Sequence, residues 1–417
     1  MTLITVCTVI WVWRRPEQLV RPYVWDEESY VLRYYVHGDW FGVLKPLEGY
    51  LTLPTNVLVA LAASISFVHL PILMYVFASL MFVATVLIIV VPDSRWGDWN
   101  TRAALAVGAA LVPTNPEVSR VLLYCFWWST LWPIAVLGWN RSLWLFRAPL
   151  LAIAALSSPA GGALSVLFGL SYLRGRQSRD FVSGAILLIG FIPQTILTIT
   201  SSRSAMVWQV SGTALFRQVL RTAGYFEGAW LSMHYSAPLL LDVGGLVFLL
   251  YLMVASAVVS IRARSSEGLL LTVVAAMLTL LSAIPAPLIS NPVSAGPRYY
   301  FLPFIVYAWT LIYVWRTSDL RSLRAACGAL LLLSSLNLFV TFSRSSDTRT
   351  ARLSWPNELQ KCAQSVDPIF HVPIYFAGSS TTFWSPLDLT PAQCRRFLRS
   401  SQRRFDVDRA LKAFTTP

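Results

Sequence analysis

The chain has 417 residues, of which 56% are hydrophobic, 13% aromatic and only 13% charged, and its mean hydropathy is +0.58. A soluble domain carries about 25% charged residues, so this composition excludes an ordinary soluble fold and makes lipid the solvent for most of the chain. The net charge of +13 arises from 33 Lys and Arg placed in short clusters between apolar runs, a pattern of membrane orientation; with no zinc-finger spacing and no aromatic-rich basic groove, no nucleic acid partner is expected.

Met1 runs straight into the apolar "TLITVCTVIWVW" with neither a basic n-region nor a small-residue cleavage site, which reads as a retained span rather than a signal peptide. It is short for a span of roughly 17 to 25 residues, so a natural start upstream of Met1 is expected. A long outer loop follows, from 14 to about 70, and contains "VWDEESYVLRYY", three consecutive carboxylates among aromatic residues. The 52–69 run within it is interrupted by "GYLTLP" and "HLP" and reads as a membrane-embedded or interfacial helix. A full crossing there gives about twelve spans in place of about eleven.

Further apolar runs fall at 71–91, 103–114, 120–138, 148–157, 160–173, 181–200, 239–261, 268–289, 299–315 and 325–342. Several are too short to cross straight and read as broken, re-entrant or bundle-buried helices. The arginine-bearing loops "NRSLWLFR", "LRGRQSRD", "IRARSSEG" and "RTSDLRSLR" all become cytoplasmic if each intervening pair of runs is a hairpin. The predicted fold is thus an all-α polytopic membrane protein with about eleven transmembrane helices, a long first extracytoplasmic loop and a second from about 201 to 238. The amino end is inside and the carboxyl end outside. Residues 1–342 form the polytopic domain and 343–417 a small extracytoplasmic α/β segment, predicted from period-2 stretches and turn residues in "IFHVPIYFAGSSTTFW". Cys7, Cys125 and Cys327 lie in apolar runs and read as buried small residues. Cys362 and Cys394, the two in the tail, pair as a disulfide if the tail meets an oxidising compartment; two free thiols are the alternative.

No phosphate-binding G-x-x-x-x-G-K-S/T loop, G-x-S-x-G elbow or H-E-x-x-H motif occurs, and His37, His69, His234 and His371 are scattered. Carboxylates and arginines remain. If "DEESYVLRYY" is helical, Asp26, Tyr30 and Arg33 share a face with Glu27 and Tyr34 beside it, and Glu28 completes the acidic run. A carboxylate near an apolar wall gains proton affinity and suits a general base toward a sugar hydroxyl; a merely solvated acidic cluster is the competing reading. Other predicted outer-face groups are Glu117 and Arg120 in "PTNPEVSR", Glu227 in "GYFEGAW", His234, Tyr50 in "GYLTLP" and Arg298 in "SAGPRYYFLP". Arg298 opens an apolar run at a helix start, a place that favours a phosphate; an interfacial Tyr-Arg belt is the competing reading.

The carboxylate after the first span, the long outer loop with "GYLTLP", the many short spans and the outer tail resemble the GT-C class of integral membrane glycosyltransferases. "P-x-x-x-E" at 113–117, "SSP" at 157–159, "GPRYYFLP" and "VPIYFAG" resemble elements of bacterial membrane proteins placed with that class. The resemblance implies a bacterial plasma-membrane enzyme that takes a sugar from a polyprenyl phosphate donor to a glycan or lipid acceptor at the extracytoplasmic face. It further implies an acid of the first outer loop, Asp26 with Glu27 next and Glu28 still open, as base. Arg298 and Arg120 then hold the donor phosphate, and Glu117, Tyr50, Tyr30, Glu227 and His234 line the substrates. Mg or Mn bound by these oxygens is allowed by this chemistry but not required.

Three other readings compete. A lipid-linked saccharide flippase calls for internal symmetry and mid-membrane charge, whereas no repeat is evident and the 181–200, 268–289 and 325–342 runs hold no Asp, Glu, Lys, Arg or His. A polysaccharide polymerase or ligase would draw on Arg203, Arg217, Arg221 and His234 of the second outer loop. A receptor role would rest on the basic tail segment "RRFLRSSQRRF".

Overall fold

Helices follow one another along nearly all of the chain, as unbroken apolar runs require when every backbone N–H and C=O must be satisfied within its own segment. The computed structural model describes residues 2–14, 16–20, 22–25, 27–47, 49–92, 94–114, 118, 121–140, 144–201, 211–228, 238–265, 267–283, 297–342, 353–374 and 384–400. In chain order the helices are α1 (Thr2–Arg14), α2 (Glu17–Val20), α3 (Glu28–Val36), α4 (Leu53–Ile65), α5 (Leu70–Ile89), α6 (Trp99–Ala110), α7 (Phe126–Leu137), α8 (Trp144–Ser157), α9 (Pro159–Ala163), α10 (Ser165–Gly175) and α11 (Ser178–Thr200). There follow α12 (Gly212–Glu227), α13 (Pro238–Ala263), α14 (Glu267–Ala283), α15 (Phe301–Thr317), α16 (Arg321–Asn337) and α17 (Trp355–Gln364). Strands β1 (Phe370–Ile374) and β2 (Trp384–Leu389) and a helix α18 over 391–400 complete the described tail.

Two helices have no polar face, and the bundle is arranged around them. Every residue of α7 is buried, as is Phe301–Val314 of α15, because a helix apolar on all sides finds its partners only in an interior. Around them, α5, α11, α13 and α16 include stretches long and apolar enough to cross a membrane, Leu70–Ile89, Ser178–Thr200, Leu239–Ala263 and Arg321–Val340. Their outer faces expose Ile189, Ile196, Val247, Val254 and Leu332, side chains that a soluble surface would replace with charge. Element boundaries depart from the apolar runs where caps act. The helix predicted over 103–114 begins at Trp99, because Asp98 accepts the Thr101 N–H at 2.8 Å. The 160–173 run is split: Ser158 caps α9 through the Gly161 N–H, and α10 starts only at Ser165.

The four arginine-bearing loops gather at one end of the bundle. Asn140, Arg174, Arg179 and Glu267 line one hollow together with Arg95. Ser265 hydrogen-bonds the Tyr313 hydroxyl at 2.6 Å, and Arg316 pairs with Asp98 at 3.2 Å. At the opposite end α1 finishes: Arg14 donates to Ala110 O at 3.2 Å and to Thr114 O at 2.6 Å, supplying donors that the last carbonyls of α6 lack.

That opposite end also holds both flanks of α4. The Leu51 N–H and C=O meet the side-chain amide of Gln194, each at 2.8 Å, in the closing turns of α11. Beyond α4, Phe67 stacks on Phe397 of the tail at 4.0 Å, and its carbonyl accepts Trp355 Nε1 at 2.8 Å. With 13 residues α4 is about 20 Å long, short of the roughly 30 Å of a bilayer core.

The described tail is an α/β unit. β1 and β2 are antiparallel, with Val372 opposite Leu387 and His371 opposite Asp388. Alternation sends Val372, Ile374, Leu387 and Leu389 inward against Trp355, Leu359 and Phe397, and sends His371 and Asp388 outward. A disulfide joins Cys362 on α17 to Cys394 on α18. The unit sits on the segment between α1 and α4: Tyr23 Oη donates to Pro373 O at 2.7 Å and Gln393 Nε2 to Val36 O at 2.9 Å.

Candidate functional site at the tail end

The acidic segment is fixed by a crossing of two distant pieces of chain. Glu28 opens α3 and is 2% exposed. One of its carboxylate oxygens accepts the Trp25 N–H at 2.9 Å and the other the Leu123 N–H at 3.3 Å, at the 3-10 turn Leu123–Cys125 that leads into α7. A carboxylate at such a turn meets N–H groups that have no partner within the helix. Glu28 thereby clamps the segment after α1 onto the start of α7. Glu27, one residue earlier and only half-buried, accepts a hydrogen bond from the Tyr124 hydroxyl.

From Tyr124 a chain of rings crosses the end of the bundle. Tyr124 and Tyr50 both lie edge-on to Phe126, at 6.4 and 5.8 Å; Phe126 packs on Trp127 at 4.7 Å, and Trp127 meets Tyr299 edge-on at 6.1 Å. Tyr299 belongs to the turn Pro297–Tyr300, whose backbone includes Arg298. Tyr300, the next residue, takes a hydrogen bond from Gln218 of α12. An aromatic floor therefore runs from Glu27 to the turn of Arg298, two places more than 270 residues apart in sequence. Offset and edge-on ring pairs of this kind add about 0.5–1.5 kcal/mol each beyond area burial, so the floor is also a rigid support.

The remaining expected residues divide by position. Asp26, Glu117, Arg120 and His234 lie outside the described residues, as does the side chain of Arg298. Tyr30 carries the Arg33 guanidinium over its ring at 5.3 Å, so these two do share a face of α3. Glu227 ends α12, and burial raises its carboxyl from 4.5 to about 7. Between those values the folded chain holds a proton that the unfolded chain has lost, so stability falls as pH rises from about 4.5 and levels off above about 7. Glu227→Gln is expected to match the unmodified chain below pH 4.5 and to exceed it by up to about 3 kcal/mol above pH 7; melting temperatures across that range check this.

Tyr124, Phe126 and Trp127 are buried, as rings inside an apolar run lead one to expect, but sequence reasoning missed that they join the acidic segment to the Arg298 turn. The available signal was the density of "YCFWW" at the start of a helix. A second group it missed lies on the tail: His371 Nδ1 meets Asp388 at 2.7 Å, and with Arg33, His37 and Pro386 they line an open hollow of about 290 Å³. Their signal was alternation, which places residues opposed across two strands on one face. Among the described residues no group of three His, Cys, Asp or Glu side chains is arranged to hold a metal ion.

Chemically, the tail end offers carboxylates at one end of a buried chain of edge-on and tilted rings, and the backbone of a cationic turn at the other end. Comparison with protein-family models, curated proteins and solved structures returned no match to this chain.

Proposed function

We propose that this chain is a membrane glycosyltransferase, inverting and GT-C-like, that moves a sugar from a polyprenyl phosphate donor to a glycan or lipid acceptor at the extracytoplasmic face of a bacterial plasma membrane. In this reading the arginine-rich end is cytoplasmic by the positive-inside rule, the tail end is outside, and about eleven spans connect them. The observation that carries it is the aromatic floor that joins the acidic segment to the Arg298 turn at the end remote from the arginine loops. In this reading the buried rings hold the acidic segment and the Arg298 turn in register, and the sugar bond to be cut lies between the acid and the guanidinium.

The acceptor oxygen attacks the anomeric carbon and gives its proton to Asp26, with Glu27 beside it. The bond between that carbon and the phosphate oxygen breaks, and the departing polyprenyl phosphate keeps the electron pair and is stabilised by Arg298. Glu28, with both oxygens on backbone N–H groups, positions the segment. The test is sugar transfer from a polyprenyl phosphate sugar in membranes. Arg298→Ala is expected to lower turnover by about a hundredfold or more, as loss of one donor to a developing anion does elsewhere. Transfer at the unmodified rate by Arg298→Ala and by Asp26→Asn would remove the proposed site. Loss on replacing Arg217 or Arg221, with the carboxylates dispensable, would instead favour a polymerase.

A further inference from the structure

The arginine-rich end holds a hollow that the transferase reading does not use. It measures about 390 Å³, within the roughly 300–1,000 Å³ of small-ligand sites, and lies between the loop before α6, Asn140, the α10–α11 connection and the start of α14. Three arginines line it, Arg95, Arg174 and Arg179; Arg95 Nε donates to Leu137 O at 2.9 Å and Arg179 Nη1 to Asn140 O. Two carboxylates also reach it, but one is already spent. Asp180 is bound on one oxygen by the fully buried Arg147 at 2.9 Å and on the other by the Ser171 hydroxyl at 2.6 Å. Glu267 accepts a hydrogen bond from Ser265. Three cations therefore share one carboxylate that is not ion-paired by Arg147.

This excess is felt within the site. Burial lowers the proton affinity of Arg95; Asp180 and Glu267 oppose the shift, and the charges of Arg179 and Arg174 add to it. Arg179 supplies an independent sign: its Nη1 donates to Asn140 O, but its buried Nε has no hydrogen-bond partner among the described residues. A guanidinium nitrogen left so costs stability unless an acceptor enters. Beside the hollow, Leu170, Leu173 and Phe181 stand exposed on α10 and α11.

We propose that this hollow binds a phosphate-bearing anion, with Arg95, Arg174 and Arg179 as its donors. The exposed apolar side chains beside it fit the acyl chains of an anionic lipid whose headgroup phosphate enters between the helices. The site lies at the opposite end of the bundle from the acidic segment, and it stands whether or not the chain transfers sugar.

Lipid binding to the purified full chain, followed by native mass spectrometry and by thermal stabilisation, tests this. Phosphatidylglycerol is expected to bind and raise the melting temperature, and phosphatidylcholine of the same acyl chains is not. Arg174→Gln/Arg179→Gln is expected to weaken phosphatidylglycerol about thirtyfold, two arginine contacts at about 1 kcal/mol each. Arg174 is exposed, so Arg174→Gln alone keeps the fold and should show about a fivefold loss. Arg262→Gln and Arg321→Gln, at the same end but outside the hollow, should show none. Displacement of the lipid by equal inorganic phosphate would keep the phosphate site and assign it to the free anion; resistance to displacement assigns it to the lipid. Equal binding of phosphatidylcholine, or phosphatidylglycerol binding unchanged in both arginine variants, overturns the proposal.

Discussion

Gly245→Ala is expected to lower the stability of the chain by at least about 3 kcal/mol, and Gly245→Val to abolish folded protein in the membrane. A Cβ at position 245 would lie 1.8 Å from the Leu220 carbonyl oxygen and 3.0 Å from the Gly224 nitrogen, and one at 224 would lie 2.4 Å from the Leu241 carbonyl oxygen. The atoms in the way are backbone on both sides, so no rotamer relieves the clash; α12 and α13 must move apart. In lipid there is little hydrophobic drive to hold separated helices together, and close van der Waals contact between small residues supplies most of the association. Separating them also disturbs Phe226, which reaches from α12 to Phe248, Phe304 and Tyr307. The control is Gly328→Ala in α16, where a new Cβ meets nothing within 4 Å. It should be neutral or stabilising by up to about 1 kcal/mol, because alanine is the better helix former. Gly224→Ala combined with Gly245→Ala should cost less than the sum, since both break one crossing. Thermal melting of detergent-purified protein ranks Gly245→Ala, Gly224→Ala, their double and Gly328→Ala, and the yield of folded protein reads Gly245→Val.

Much of this fold was legible because lipid imposes a simple grammar. An apolar run must be helical, so the start of α5 and the end of α11 fall where hydropathy changes. Arginine resists a low dielectric, so "LRGRQSRD" and "RTSDLRSLR" mark chain reversals, and those loops do gather at one end. The interruption of 52–69 by "GYLTLP" and "HLP" falls near the two ends of α4, Leu53 and Ile65. What stayed hidden depends on pairs far apart in sequence. Nothing in "DEES" says that Glu28 will accept the Leu123 N–H, or that the Tyr124 hydroxyl will find Glu27. Nor does composition distinguish Phe126 and Trp127, which link Tyr124 to Tyr299, from Trp128, which packs against Trp11 and Phe82; all three are buried. Caps were missed for a related reason. Asp98 lies outside the apolar run and carries no hydropathy signal, yet its geometry starts α6 four residues before that run.

The three adjacent carboxylates are expected to fail in two different ways. Glu28→Gln replaces a group that accepts on both oxygens with one whose NH₂ must face a backbone N–H, either that of Trp25 or that of Leu123. A buried donor left facing a donor costs about 1–3 kcal/mol, and loss of the charge removes the stronger form of the surviving bond. The defect should appear as a lower melting temperature and a lower yield of folded protein, with turnover per folded molecule reduced only as far as the segment shifts. Glu28→Ala should be worse, because it also opens a space above α7. Asp26→Asn should do the reverse under the proposed function. It is expected to reduce turnover by about a hundred- to ten-thousand-fold, the range of a lost general base, while the melting temperature stays within about a degree or two. Glu27→Gln lies between the two, since its amide oxygen still accepts from Tyr124; a partial loss that Tyr124→Phe reproduces would assign Glu27 to holding the floor and its acid in register. Turnover normalised to folded protein, read beside melting temperature for each variant, separates base from clamp. Full activity in Asp26→Asn with loss in Glu27→Gln alone would move the base by one residue, and loss in neither would leave the acidic segment a purely structural tie between the first outer loop and α7.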